Sequence, residues 1–390
     1  MDVAAVRELL TPEGLRLLDE VGEVDSKADV VQLVSRLRAA GHPPARVAVV
    51  LEQARLRSRA RAKLGDFADR MLFTRDGLEQ ATRLRVAALH AGRFQAAGVD
   101  VVADLGCGIG ADALALAGLG LGVIAVERDE ATAALAAFNL APFPEARVEH
   151  GDALEADLAG VGALWMDPAR RDGDGRLSDP AAWSPPLDRV LALARELPAG
   201  VKLAPGLDRR LIPDGMEAQW VSVDHEVVEL VLWSGALARP GVARAALVLG
   251  PHGAAELTGP GDAPDAETRG LGEWLVEPDG AVIRARLIGE LARRLDGGML
   301  DATIAWITAD ERPETALGQV FRVLDRLPLD LKTLRRELGP RYGALEIKKR
   351  GVDVDPAEFR RRLGLRGQGS ATLILTRVAG ARVAILAERG

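Results

Sequence analysis

"VVADLGCGIGADALALAGLGLGVIAVERDE", residues 101–130, reads as one structural unit. An apolar run ends on Asp104, glycines at 106, 108 and 110 make a turn, an Ala-rich stretch follows, and a second apolar run ends on Glu127. That is the grammar of strand, turn, helix and strand. A helix that begins directly after a strand presents unpaired backbone N–H groups, and glycines let a ligand come close to them. The turn therefore implies a ligand without choosing it. Gly106, Gly108 and Gly110 form GxGxG, whereas the dinucleotide fingerprint is GxGxxG. Ala111 fills the last place, so a dinucleotide reading survives only as a variant.

Outward from this unit, residues 99–240 alternate short apolar runs with Ala-rich stretches, which predicts a parallel sheet with crossover helices. Strands are expected at 99–103, 122–126, 146–149, 162–166 and 200–204. "MEAQWVSVD" and "VVELVLWSG" follow closely enough to pair as a hairpin. Upstream, residues 1–95 read as a helical region. Val30, Val31, Val34 and Leu37 suggest one apolar face, Pro44 opens the next helix and Gly65 closes it, and Arg55, Arg59 and Lys63 make a basic line along it. A third helix is expected across "DGLEQATRLRVAALHAGRF", residues 76–94.

Beyond 240, "PHGAAELTGPGDAPDAETRG" reads as loop, "AVIRARLIGELARRLDGG" and "DLKTLRRELG" as helices, and "GALEIKKRG" as a strand. "DPAEFRRRLG" is a further helix, and "ATLILTRV" and "ARVAILAE" form a closing pair. The expected division is 1–95 helical, 96–240 ligand-binding α/β sheet, 241–329 α+β and ferredoxin-like, and 330–390 a small α+β unit.

Composition narrows the class. The 390 residues are 48% hydrophobic and 27% charged, which is ordinary for a globular chain. Cys107, the only cysteine, sits in the Gly-rich turn, so no internal disulfide and no cysteine zinc site can form; no metal site is expected, and a reducing cytoplasm fits. The N-terminus "MDVAAVRELLTPEG" has acids where a signal peptide is basic. The weakly polar run 113–126 is shorter than the roughly 18 residues of a membrane helix, so no membrane is expected. The formal charge of −7 argues against a generally basic nucleic-acid binder, yet residues 331–390 hold 14 Lys and Arg against 6 Asp and Glu. That asymmetry fits either a polyanion contact or a solvated Arg-rich surface.

"ADLGCGIG" resembles the first motif of class I methyltransferases, which implies S-adenosylmethionine as cofactor and places Asp104, Gly106, Gly108 and Gly110 around it. "VIAVERD" resembles the second motif, in which Glu127 would accept both ribose hydroxyls. "HGDAL" resembles the third, in which Asp152 would meet the adenine amine. Each acid alone could equally be a helix cap or turn residue. At the fourth position, "WMDPARRDG", Pro168 biases Asp167 toward extended backbone at the carboxyl edge of the sheet. Amino-methylating enzymes carry D/N/S-P-P-aromatic there, and the resemblance gives Asp167, Pro168 and Arg170 the catalytic place. Ala169 and Arg170 depart from that pattern, and Trp165 or Trp183 are candidates to supply the missing aromatic. "DPAR" also resembles C5-uridine RNA methyltransferases, but these need a cysteine nucleophile, and "VKLAPGLDRR" offers none.

Residues 67–94 and 343–377 resemble bacterial class I methyltransferases with a C-terminal THUMP-like domain, and 67–94 is more distantly similar to trimethylguanosine synthases. The resemblance implies a Rossmann-like methyltransferase sheet with helices before it and a THUMP-like α+β domain over 330–390. It places Phe73, Thr74, Glu79 and Gln80 at the cofactor end, although a capped helix packed on the sheet would explain them too. It also places Lys348, Lys349, Arg350, Arg360, Arg361, Arg362 and Arg366 on RNA phosphates. The activity expected is N-methylation of a base in structured RNA, rRNA or tRNA. The rivals are a small-molecule or protein methyltransferase and a cofactor-sensing RNA-binding protein without catalysis.

Overall fold

The computed structural model describes residues 1–24, 27–169, 171–172, 175–176, 179–251 and 253–390. The chain forms two compact units, one of residues Met1–Lys202 with Trp233–Leu237, the other of Leu203–Leu232 with Ala238–Gly390.

The first unit begins with α1 (Val3–Leu9), α2 (Pro12–Val21), α3 (Lys27–Ala39) and α4 (Pro44–Leu64). Side chains of Asp2 and Thr11 cap α1 and α2, while Pro44 opens α4 and Gly65, at φ 56°, closes it. Leu9, Leu17, Leu18, Val47, Val50 and Leu51 share a core with Leu135. On α3 the inward stripe is Val30, Leu33, Val34 and Leu37, the i, i+3, i+4, i+7 set, and Val31 stands 68% exposed.

The helix expected across 76–94 is two helices, α5 (Arg75–Gln80) and α6 (Leu84–Ala96), separated by extended backbone at Ala81. Lys63 causes the break to be stable: its ammonium donates to the carbonyls of Leu78 (2.9 Å), Glu79 (2.5 Å) and Ala81 (3.2 Å), satisfying the exposed end of α5. The segment just before α5 is held by two buried amides. Gln53 of α4 accepts from Phe73 N and donates to Phe73 O, while Asn139 does the same for Leu72 and also donates to Ile109 O.

The sheet of this unit comprises β1 (Val101–Leu105), β2 (Gly122–Glu127), β3 (Ala146–His150), β4 (Ala163–Met166) and β5 (Ala199–Leu203), within two residues of the expected positions. Its order is β3-β2-β1-β4-β5, all parallel, with α7 (Ala111–Gly118), α8 (Glu130–Leu140) and α9 (Leu187–Glu196) as crossovers. The order reverses at β1, so the crevice between the loops after β1 and β4 is the topological switch point, where open α/β sheets bind ligands.

The second unit contains the expected hairpin, β6 (Glu217–Val223) and β7 (Glu226–Trp233), turned by Asp224 and His225 at φ 49° and 69°. Beside β6 lie β8 (Arg244–Gly250) and β9 (Gly253–Gly259). Part of the stretch expected as loop, 251–270, is therefore strand: its Gly and Pro punctuate the ends of β9, and its backbone pairs along β8. A seven-stranded sheet follows. Its strands are β10 (Trp274–Pro278), β11 (Gly298–Asp301), β12 (Ile304–Ala309), β13 (Gly318–Pro328), β14 (Tyr342–Lys349), β15 (Gly369–Val378) and β16 (Ala381–Arg389). The order is β11-β12-β10-β13-β16-β15-β14, antiparallel except for β14 against β15. Leu373, Leu375, Ala384 and Leu386 face α12 (Leu331–Leu338) and α13 (Pro356–Leu363), while Ile374 and Ile385 alternate onto the opposite core with Trp306 and Phe321. The helix expected over 281–298 is broken at Arg286, whose φ of 59° separates α10 (Gly280–Arg284) from α11 (Ile288–Arg294).

Candidate active site

The loop after β1 wraps back on β2. Gly106, Gly108 and Gly110 take φ of 92°, 56° and 82°, which a residue with a Cβ avoids, and the N–H groups of Gly106 and Cys107 donate to Val126 O. Glu127 accepts from Gly108 N at 3.0 Å and from Asp129 N at 2.8 Å. A carboxylate has four acceptor sites, so these bonds fix its position and leave capacity for hydroxyl donors. Gly77 brings α5 against this loop: a Cβ there would lie 2.5 Å from the Ile109 side chain.

Two cavities open at the switch point. One, of about 380 Å³, is lined by Thr74, Gln80, Thr82, Asp104, Asp112, Trp165 and Lys202; the other, of about 310 Å³, by Arg128, Gly151, Asp152, Leu154 and Ser184. Gly106, Glu127, Asp129, Asp167 and Ala169 line both. The glycine loop, the two acids expected near ribose and adenine, and the acid of the fourth motif thus line two adjoining cavities.

Asp104 lies beneath the loop, 1% exposed, and its Oδ2 has no hydrogen-bond partner among the described residues. Burial, with Asp112 and Asp167 beside it, raises its pKa well above the ordinary value, and Lys202 opposes that rise. A buried acceptor surrounded by acids fits a cationic ligand, and S-adenosylmethionine is cationic at its amino group and sulfonium. Cys107 offers nothing as a nucleophile: burial, with Asp104 and Glu127 nearby, pushes its thiol well above the ordinary value.

The remaining polar groups form a cluster with no sequence motif. Lys202, at the end of β5 and 9% exposed, places its ammonium 2.6 Å from Asp167 Oδ2 and 3.8 Å from Asp112 Oδ2, and donates to Thr82 Oγ1 at 2.8 Å. Thr82 donates in turn to Asp112 Oδ2 at 2.7 Å. Burial alone would raise the Asp112 pKa, but Lys202, His90 and Thr82 overcome it and hold it below the ordinary value. His90, stacked 4.6 Å from Trp165, puts Nδ1 3.7 Å from Asp112 Oδ1. Lys202 and Thr82 were missed because neither stands in a motif: Thr82 is hidden in an apparent helix, and 201–210 is informative only for lacking cysteine. A lysine ending a buried strand was the available signal.

Other sequence-derived candidates fall differently. Thr74 and Gln80 line the larger cavity, while Phe73 is fully buried, Glu79 is exposed, and neither lines either of these two cavities. Pro168 is buried, and Arg170 lies outside the described residues. Trp183 is buried outside the lining of both cavities, and Trp165 is a core side chain whose edge reaches the larger one. In the second unit, Lys348 is bound to Glu277 at 2.7 Å and Arg350 lies 3.7 Å from the same acid. Arg360 donates to Leu345 O and Arg362 pairs with Glu358, while Lys349, Arg361 and Arg366 are exposed.

Parallel strands in the order 3-2-1-4-5, a glycine loop after the first and an acid at the end of the second are the arrangement of class I methyltransferases. The chain belongs to the S-adenosylmethionine-dependent methyltransferases, with a THUMP-like domain at its C-terminal end. It is 35% identical over 348 residues to an uncharacterised S-adenosylmethionine-dependent methyltransferase of Mycobacterium tuberculosis, from strains H37Rv and CDC 1551 alike, covering 84% of this chain and 92% of the relative. A family model described as THUMP domain-like matches residues 318–389, and one described as a domain of unknown function matches 2–60. A crystal structure of a proposed methyltransferase from Porphyromonas gingivalis W83 shares the fold at a TM-score of 0.73 and 22% identity, covering 94% of this chain and all of that one. Among the described residues, no helix is long and apolar enough to cross a membrane.

Proposed function

We propose that this enzyme methylates an amino nitrogen of a base in structured RNA, with Asp167 orienting the acceptor. The observation that carries the reading is the place of Asp167: it directly follows β4, lines both cavities, and its backbone carbonyl faces Gly106, where an added Cβ would lie 3.7 Å from it. A carboxylate and a carbonyl at one edge are the acceptors an amine needs to aim its lone pair. S-adenosylmethionine supplies an activated methyl group, so the protein's task is chiefly to bind, orient and exclude water. Asp104, Gly106, Gly108 and Glu127 would hold the cofactor's charged and ribose parts, and Asp152 its base. The THUMP-like match and the basic excess of residues 331–390 support RNA as the carrier of the base.

The test is transfer of labelled methyl from S-adenosylmethionine to total RNA and to protein from cells lacking the gene. Label is expected in RNA, with transfer strongly slowed but still measurable in Asp167→Ala and cofactor affinity kept, whereas Glu127→Ala weakens the cofactor. Label confined to protein or small molecules would sink the RNA reading. The Ala169 and Arg170 departures give weight to one second reading, a cofactor-binding RNA-binding protein, which binding without transfer to any pool would favour.

A further inference from the structure

The cluster around Lys202 is expensive to build. A lysine that is nine-tenths buried persists only where its charge is paired and its protons are bonded. Here the partners come from four separate elements: Asp167 after β4, Asp112 in the first turn of α7, Thr82 from the break between α5 and α6, and His90 of α6 beyond Asp112. Among the described residues, Asp104, Asp112 and Asp167 are carboxylates that act on the ammonium, and Lys63 and, when protonated, His90 are cations nearby. If the cluster only packed the core, apolar side chains would do as well or better. It instead lines the crevice, and it grips the one side chain on which substrate orientation depends.

The geometry points to Lys202 as a positioning residue for methyl transfer: seated by Thr82 and Asp112, it aims the Asp167 carboxylate at the acceptor nitrogen. This rests on the reading of Asp167 above. A charge-assisted contact of 2.6 Å fixes one carboxylate oxygen and thereby the plane of the group. Without it the carboxylate samples other rotamers, and an error of about 1 Å in aim costs on the order of 10²-fold in rate.

The experiment is a double-mutant cycle on the full chain, with methyl transfer measured in whichever pool wild-type protein labels. Lys202→Met is expected to lower kcat on the order of 10²-fold, with cofactor Kd by calorimetry unchanged within about twofold. Lys202→Met in the Asp167→Ala background should cost nothing further, because its target is gone. Thr82→Val keeps the ammonium and should show a smaller loss, again absent in the Asp167→Ala background; it also serves if Lys202→Met fails to fold. Ethylammonium should restore turnover to Lys202→Ala but not to Lys202→Ala with Asp167→Ala. Losses that multiply across the cycle, or rescue that ignores Asp167, would overturn the assignment. Label in protein instead of RNA would remove the RNA reading while the cycle still judges Lys202. Cofactor binding with no label in any pool would overturn both.

Discussion

Burial of Asp104 costs the fold stability, and in the proposed site the same residue would supply affinity for the cofactor. Its pKa in the fold lies well above the ordinary 3.8, so the native state holds a proton that the unfolded chain releases as pH rises past that value. Native protein then binds more protons than unfolded protein, and stability falls with rising pH until the folded pKa is passed. Asp104→Asn removes that cost. The variant is expected to melt a few degrees higher than wild type at neutral pH without cofactor, and at the same time to bind S-adenosylmethionine more weakly. Melting curves at pH 5 and pH 8 check the sign: the gap between variant and wild type should widen at the higher pH. Asp104 stood out in the sequence as a candidate because it closely precedes a glycine turn. Lys202 did not, because its role exists only where β4 and β5 lie side by side, and nothing local to 201–210 announces that neighbour.

At the scale of elements, the sequence was clearest where one period ran undisturbed. The five parallel strands fell within two residues of expectation, since buried runs bounded by turns are local signals. The helix expected over 76–94 fails for a non-local reason: its capping group, Lys63, is twelve residues upstream of Arg75, on another helix. Read as part of a basic line along α4, Lys63 is in fact turned onto three carbonyls. Lys63→Met should therefore destabilise the fold by about 1–3 kcal/mol, measured by denaturant unfolding, through the loss of charged hydrogen bonds. Because those carbonyls flank the segment carrying Thr82, the same variant should also lower turnover. An unaltered unfolding midpoint would show that the end of α5 needs no cap.

For the whole molecule, the uneven charge seen in the sequence divides into paired and exposed groups. Lys348 and Arg350 are half-buried and share Glu277, an acid more than seventy positions away, whereas Lys349, Arg361 and Arg366 remain exposed. If RNA is the substrate, its binding should weaken about tenfold or more between 50 and 200 mM salt. Replacing Lys349, Arg361 and Arg366 together by Ala should flatten that dependence, while Lys348→Ala should chiefly affect stability. Filter binding at the two salt concentrations decides between them, and salt-insensitive binding would assign the basic excess to solvation.

The paired amides of Gln53 and Asn139 bear on modularity. Residues 2–60 match a family model of their own, which invites treating them as an accessory cut from the catalytic half. Yet Gln53 lies inside that segment, accepts from the buried N–H of Phe73 and donates to its C=O. A gene fragment starting after residue 60 would strip Phe73 of those partners and uncover the backbone that leads into α5. The helical lead is thus an inseparable part of the enzyme's inheritance, and grafting or shuffling it would have to carry Gln53 along.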